Sequence, residues 1–158
     1  MLATTDLSDK HPHIPAAEPL FNDYGGESAF YGPIKTLKVF EDNALVRATL
    51  ETAGNGRVLV VDGGGSLRCA LLGDQLAELA VKNHWVGVVV YGCIRDSAAI
   101  SDMPLGVKAL STHPKKSEKG LHTGHADKAV TFAGLTFNSG DWLYADADGM
   151  LLSVEPLH

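Results

Sequence analysis

The chain has 158 residues, 45% of them hydrophobic and 20% charged, and its formal charge is −6. Such a composition excludes a disordered polymer, no apolar run nears the ~18 residues of a membrane span, and Met1 to His13 is too polar for a signal peptide. The acidic balance argues against direct nucleic-acid binding, which needs clustered Lys and Arg. The one basic cluster, Lys115-Lys116 with Lys119, is expected to face solvent. These features predict one cytoplasmic domain over 1–158, with no membrane contact and with Cys69 and Cys93 as reduced, partly buried thiols.

In chain order, residues 1–30 contain Pro12, Pro15 and Pro19 and read as an irregular arm with one short helix around Thr5 to Lys10. Gly32 to Phe40 has strand character, and Ala44 to Ala53 reads as a helix ended by Gly54. Arg57 to Asp62 is a strand of buried aliphatics followed by Gly63-Gly64-Gly65. Those glycines lack the third glycine of a dinucleotide fingerprint, since Arg68 stands in its place, and no Lys-Ser/Thr pair follows as in a P-loop. They are expected to turn the backbone sharply beside a pocket.

Leu76, Leu79 and Ala80 recur at helical spacing, which predicts an amphipathic helix from Asp74 to Asn83. Trp85 to Tyr91 reads as a buried strand. The helix leads away and the strand leads back, so Asp74 and the pair Arg95-Asp96 are expected to share one rim of the sheet, where open α/β proteins bind ligands. Gly106 to Ala109 is expected as a short strand and His113 to Ala126 as a loop. Lys128 to Phe132 with Leu135 to Phe137 forms a hairpin, and Asp141 to Ala145 turns at Asp146 to Gly149 into the strand Met150 to Val154. His113, His122 and His125 in the loop, and His11 and His13 in the arm, are expected to be solvated, and His84 to cap its helix.

At the shared rim, Asp96 is a natural ligand for a hard divalent cation, which needs only one or two protein carboxylates beside water. Arg95 offers a planar donor fork to a carboxylate or enolate. The N–H groups around Gly73, Asp74, Gln75 and Leu76 stand at a helix N-terminus, which favours an anion. The same residues have a purely structural use, an Arg95–Asp96 ion pair and an Asp74 helix cap.

The pattern of Asp74 followed after twenty residues by Arg95-Asp96 resembles the signature of class II pyruvate aldolases. These cleave 4-hydroxy-4-methyl-2-oxoglutarate and 4-carboxy-4-hydroxy-2-oxoadipate. The surroundings resemble the regulator of ribonuclease activity A (RraA) branch of the same superfamily. Glu18-Pro19-Leu20-Phe21, Phe40-Glu41-Asp42-Asn43, Arg57 to Ser66 and Gly140 to Asp146 carry that resemblance across nearly the whole chain.

The resemblance implies an α/β chain with the swivelling β/β/α fold of phosphohistidine domains, assembled as a homotrimer. It also implies a Mg²⁺- or Mn²⁺-dependent lyase acting on 2-oxo acids, with oxaloacetate decarboxylase activity. Asp96 would bind the metal, Asp74 would hold one of its waters, and Arg95 would stabilise the enolate. The backbone of Gly73 to Leu76 would anchor a carboxylate. The proton acceptor for the 4-hydroxyl is expected to be a water near Asp74, aided by an acidic residue of a neighbouring subunit. The alternative implied by the RraA branch is an inhibitor of a ribonuclease E-type endonuclease, acting through that nuclease's basic segments.

Overall fold

The computed structural model describes residues 2–118, 120 and 124–158. In chain order the elements are α1 (Thr4–Lys10), β1 (Asn22–Asp23), β2 (Phe30–Lys38), α2 (Ala44–Leu50), β3 (Val58–Asp62), β4 (Ala70–Leu72), α3 (Asp74–Lys82) and β5 (Gly87–Ile94). They continue with α4 (Ser97–Ile100), β6 (Gly106–Thr112), β7 (His125–Ala126), β8 (Val130–Phe132), β9 (Leu135–Phe137), β10 (Trp142–Asp146) and β11 (Gly149–Ser153). A nine-stranded sheet runs in the order β1-β6-β5-β3-β2-β10-β11, with β4 added to β5 and β7 to β2. Its centre, β6-β5-β3-β2, is parallel, while β1, β7, β10 and β11 pair antiparallel.

Alternation along the central strands sorts the core into two layers. Leu59, Val61, Val88 and Val90 pack with Val46 and Leu50 of α2 and with Leu76, Ala77 and Ala80 of α3. Val58, Val60 and Val89 face the other way, onto Val130, Phe132, Leu135 and Phe137 of the β8–β9 hairpin and Leu143 of β10. The result is a mixed α/β body with a hairpin, a sheet and a helical layer, as the expected β/β/α fold requires. Burying the aliphatics of β3 and β5 on both faces contributes about 1.5–3 kcal/mol per side chain.

Several boundaries differ from the sequence expectation. The helix expected over Ala44–Ala53 ends at Leu50, because Glu51 and Thr52 turn the chain and the Thr52 N–H and Oγ1 both bond the Thr49 carbonyl. The central strand expected over Trp85–Tyr91 is displaced to Gly87–Ile94: Trp85 closes the end of α3, its N–H bonding Ala80 O while His84 N–H bonds Val81 O. His84 takes φ 65°, so its backbone ends the helix in a left-handed turn. The short strand at Gly106 extends to Thr112, paired along β5. Sequence patterning missed β1, β4, β7 and α4, each four residues or fewer.

Both cysteines are free and buried, and burial raises each thiol above its ordinary value of 9.0. Among the described residues no helix is long and apolar enough to cross a membrane.

Candidate active site

β4 makes the site. It pairs parallel with the end of β5, with Ala70 opposite Cys93 and Leu72 opposite Ile94, and the Arg95 N–H donates to the Leu72 carbonyl at 2.9 Å. Gly73-Asp74 and Arg95-Asp96 therefore leave two adjacent strand ends side by side. The residues meet as expected, and the β4–β5 pairing holds them side by side.

The structural roles considered for these residues are differently distributed. Gly73 is the N-cap of α3 and Asp74 its first helical residue. The capping oxygen comes from across the rim, where Asp96 Oδ2 accepts the Asp74 N–H at 3.0 Å. Glycine at 73 permits this approach, since a Cβ there would stand 2.9 Å from Asp96 Oδ2. Asp96 itself takes the left-handed conformation, φ 58°, which Asp tolerates better than most side chains. Arg95 and Asp96 do not pair with each other in any ion pair found among the described residues. Among the described residues the Arg95 guanidinium makes only a long 3.5 Å contact with the Pro114 carbonyl.

Around these groups lies a hollow of about 510 Å³ bordered by Gly73, Asp74, Gln75, Leu76, Arg95 and Asp96. It also takes in Asn43, Arg47, Lys116, Ser117 and Glu118, none of which was expected at the site. Three cations, Arg47, Arg95 and Lys116, face three carboxylates, Asp74, Asp96 and Glu118. Lys115 and Lys116 are exposed, as expected, yet Lys116 borders the hollow, because the Lys115 carbonyl accepts the Ala70 N–H at 2.8 Å and brings the segment onto β4. The glycines 63–65 do not border this hollow; Gly63 and Gly65 N–H bind the Tyr91 carbonyl. His122 and Lys119 lie outside the described residues. His113 Nδ1 accepts the Lys115 N–H, and His125 pairs with Lys38 in β7.

Several polar groups here lack partners. The α3 N–H groups of Gln75 and Leu76 find none among the described residues, whereas Asp74 bonds Asp96 and Ala77 bonds the Gly73 carbonyl. Asn43 stands at the start of α2 without capping it; Asp42 Oδ1 accepts the Ala44 N–H instead. The Asn43 amide reaches the Leu71 carbonyl at 3.2 Å, leaving Asn43 Oδ1 buried and without a partner among the described residues, as is Ser117 Oγ. Buried polar atoms are ordinarily satisfied, so this cluster suits a polar ligand. The segment Phe40-Glu41-Asp42-Asn43, which resembles the superfamily, is the one sequence signal that touches Asn43.

Among the described residues no group of three or more His, Cys, Asp or Glu is set to hold a metal. Softer metals that want several nitrogen or sulfur donors do not fit this site. A hard cation completed by water and substrate oxygens does, because Asp96 has only Oδ2 committed and Asp74 sits in the same hollow. A larger hollow of about 790 Å³, lined by Tyr31, Trp85, Trp142 and His158, lies by the N-terminal ends of the parallel strands. It lacks this convergence of charge, and ligands of open α/β sheets favour the opposite, C-terminal strand ends.

The RraA-like family model (Aldolase/RraA) matches residues 4–152. Relatives from Aromatoleum aromaticum and Alkalilimnicola ehrlichii are 59% and 57% identical over 98% of this chain and 97% and 96% of their own. Both carry the name "Putative 4-hydroxy-4-methyl-2-oxoglutarate aldolase". The structure of the RNA-processing inhibitor RraA from Thermus thermophilis matches with a TM-score of 0.95 at 48% identity, over 99% of this chain and 94% of that one. A Geobacillus kaustophilus structure described as an S-adenosylmethionine: 2-dimethylmenaquinone methyltransferase gives the same TM-score and identity, over 99% and 97%. With a family model covering most of its length and relatives above half identity, the chain belongs to the RraA-like family.

Proposed function

We propose that the protein is a divalent-metal-dependent carbon–carbon lyase. It cleaves 4-hydroxy-4-methyl-2-oxoglutarate and related 4-hydroxy-2-oxo diacids to pyruvate, and it decarboxylates oxaloacetate. The observation that carries this reading is the convergence of Asp74, Arg95 and Asp96 with unpaired helix N–H groups in one hollow. The aldolase names of the relatives from Aromatoleum aromaticum and Alkalilimnicola ehrlichii point the same way.

In this reading Asp96 and Asp74 would hold a Mg²⁺ or Mn²⁺ ion, Asp74 by way of water, and the cation would supply Lewis-acid polarisation of the 2-oxo acid. The Gln75 and Leu76 N–H groups bind the substrate carboxylate at the positive end of α3, with Gly73 and Asp74 shaping that turn. Arg95 stabilises negative charge as the enolate of pyruvate develops, an effect worth about 3 kcal/mol for one well-placed donor. The working assembly is a homotrimer.

A second reading, supported by the likeness to the Thermus inhibitor, is restraint of a ribonuclease E-type endonuclease through the acidic surface. One variant separates the two. Asp96→Ala is expected to abolish metal-dependent pyruvate release while leaving any nuclease inhibition intact; retained turnover would refute Asp96 as the metal ligand.

A further inference from the structure

The retro-aldol reaction must remove a proton from the substrate's 4-hydroxyl, and the segment after β6 carries a carboxylate suited to that task. This segment folds back along β4. Ala70 and Lys116 form a parallel bridge, and the Glu118 N–H donates to the Glu41 carbonyl at 3.2 Å. These bonds fix the main chain on both sides of Ser117, which is 3% exposed and whose Oγ has no partner among the described residues. Ser117 and Glu118 thus border the hollow together with Asp74, Arg95 and Asp96. Of the three carboxylates there, Asp96 has one oxygen bonded to the Asp74 N–H, and the lyase reading assigns Asp96 and Asp74 to the cation. Glu118 makes no ion pair among the described residues.

Resting on the lyase reading, we propose that Glu118 is the catalytic base for carbon–carbon cleavage and that Ser117 Oγ orients the hydroxyl it deprotonates. Glu118 replaces the water near Asp74 expected from the sequence, and it belongs to the same chain as the rest of the site. The Glu118 carboxylate takes the 4-hydroxyl proton, and the oxygen's electron pair forms the new carbonyl at C4. The C3–C4 bond breaks and its electrons pass into the enolate of pyruvate. Protonated Glu118 then returns the proton to C3. For 4-hydroxy-4-methyl-2-oxoglutarate both fragments are pyruvate, and no external oxidant, reductant or co-reactant is needed.

Loss of CO₂ from oxaloacetate involves no hydroxyl proton, so the two substrates distinguish a base from a residue that only shapes the pocket. The test is kcat for both substrates, with saturating Mg²⁺, in wild type, Glu118→Gln and Ser117→Ala, together with the melting temperature of each. Glu118→Gln is expected to lower cleavage by about 10²–10³-fold, with decarboxylation near the wild-type rate and melting unchanged. Ser117→Ala is expected to lower cleavage less, with the same selectivity. Equal losses on both substrates, or unchanged cleavage in Glu118→Gln, would overturn the assignment. A wild-type protein that releases pyruvate from neither substrate would overturn the lyase reading and the assignment with it, whereas decarboxylation without cleavage would overturn the assignment alone.

Discussion

Two clusters of charge in this molecule are built to opposite specifications. Around Lys108 on β6 every polar group is answered: its side chain is 4% exposed, and its ammonium bonds Asp23 at 2.9 Å and the Asp146 carbonyl at 2.8 Å. Asp146 in turn accepts the Thr4 N–H, the Thr4 hydroxyl and the Asp148 N–H. That cluster ties β1, β6, the β10–β11 turn and the N-terminal arm together. At the rim of β4 and β5, by contrast, Asn43 Oδ1, Ser117 Oγ and the Gln75 and Leu76 N–H groups lack partners among the described residues. A completed network stabilises the fold, whereas an uncompleted one of similar burial costs stability unless a ligand answers it.

The contrast is sharpened by substitutions on each side. The largest expected effect is at the rim: Arg95→Ala should lower kcat for pyruvate release by about 10²–10³-fold with little change in melting temperature. An equal fall in stability would show that the rim is structural after all. Lys108→Met should do the reverse, lowering the free energy of unfolding in urea by about 3 kcal/mol, because Asp23 and a carbonyl lose their partner; kcat per folded protein should hold. Gly73→Ala should be milder, about tenfold in kcat/KM, since its Cβ would push against the Asp96 carboxylate 2.9 Å away.

The smallest effect is acid sensitivity. Burial favours the protonated form of Asp146, but the Thr4 and Asp148 hydrogen bonds outweigh it and hold the carboxyl below its ordinary 3.8. A folded-state pKa below the unfolded value gives stability that is present above about pH 4 and lost as pH falls through the folded value. Melting temperature should therefore drop below about pH 4, and the drop should be shallower in Thr4→Val, which loses the hydroxyl bond. Parallel curves for the two proteins would remove Asp146 from the network.

Much of this arrangement was legible in the sequence because it rests on local pattern. Leu76, Leu79 and Ala80 mark α3, the aliphatics of β3 and β5 mark buried strands, and the spacing from Asp74 to Arg95-Asp96 marks the rim. What escaped notice depends on contacts between distant segments. β4 has only three residues and no alternation to display, yet it brings the two halves of the rim together. Asn43 occupies a helix-cap position, where its residue type is expected anyway, and only the fold turns its amide toward Leu71. Lys116, Ser117 and Glu118 reach the hollow through backbone bonds to Ala70 and Glu41, and such bonds leave no trace in side-chain composition.

Relatives of this fold carry the names of an aldolase, a methyltransferase and an RNA-processing inhibitor, so the chemistry must be decided at the site. The most direct measurement is pyruvate release by the wild-type protein from 4-hydroxy-4-methyl-2-oxoglutarate and from oxaloacetate, with Mg²⁺, Mn²⁺ or EDTA and with metal alone subtracted. Turnover of both substrates that either cation supports and EDTA removes is the predicted result. A folded protein with no turnover above the metal-only background, or with turnover indifferent to EDTA, would contradict a metal-dependent lyase.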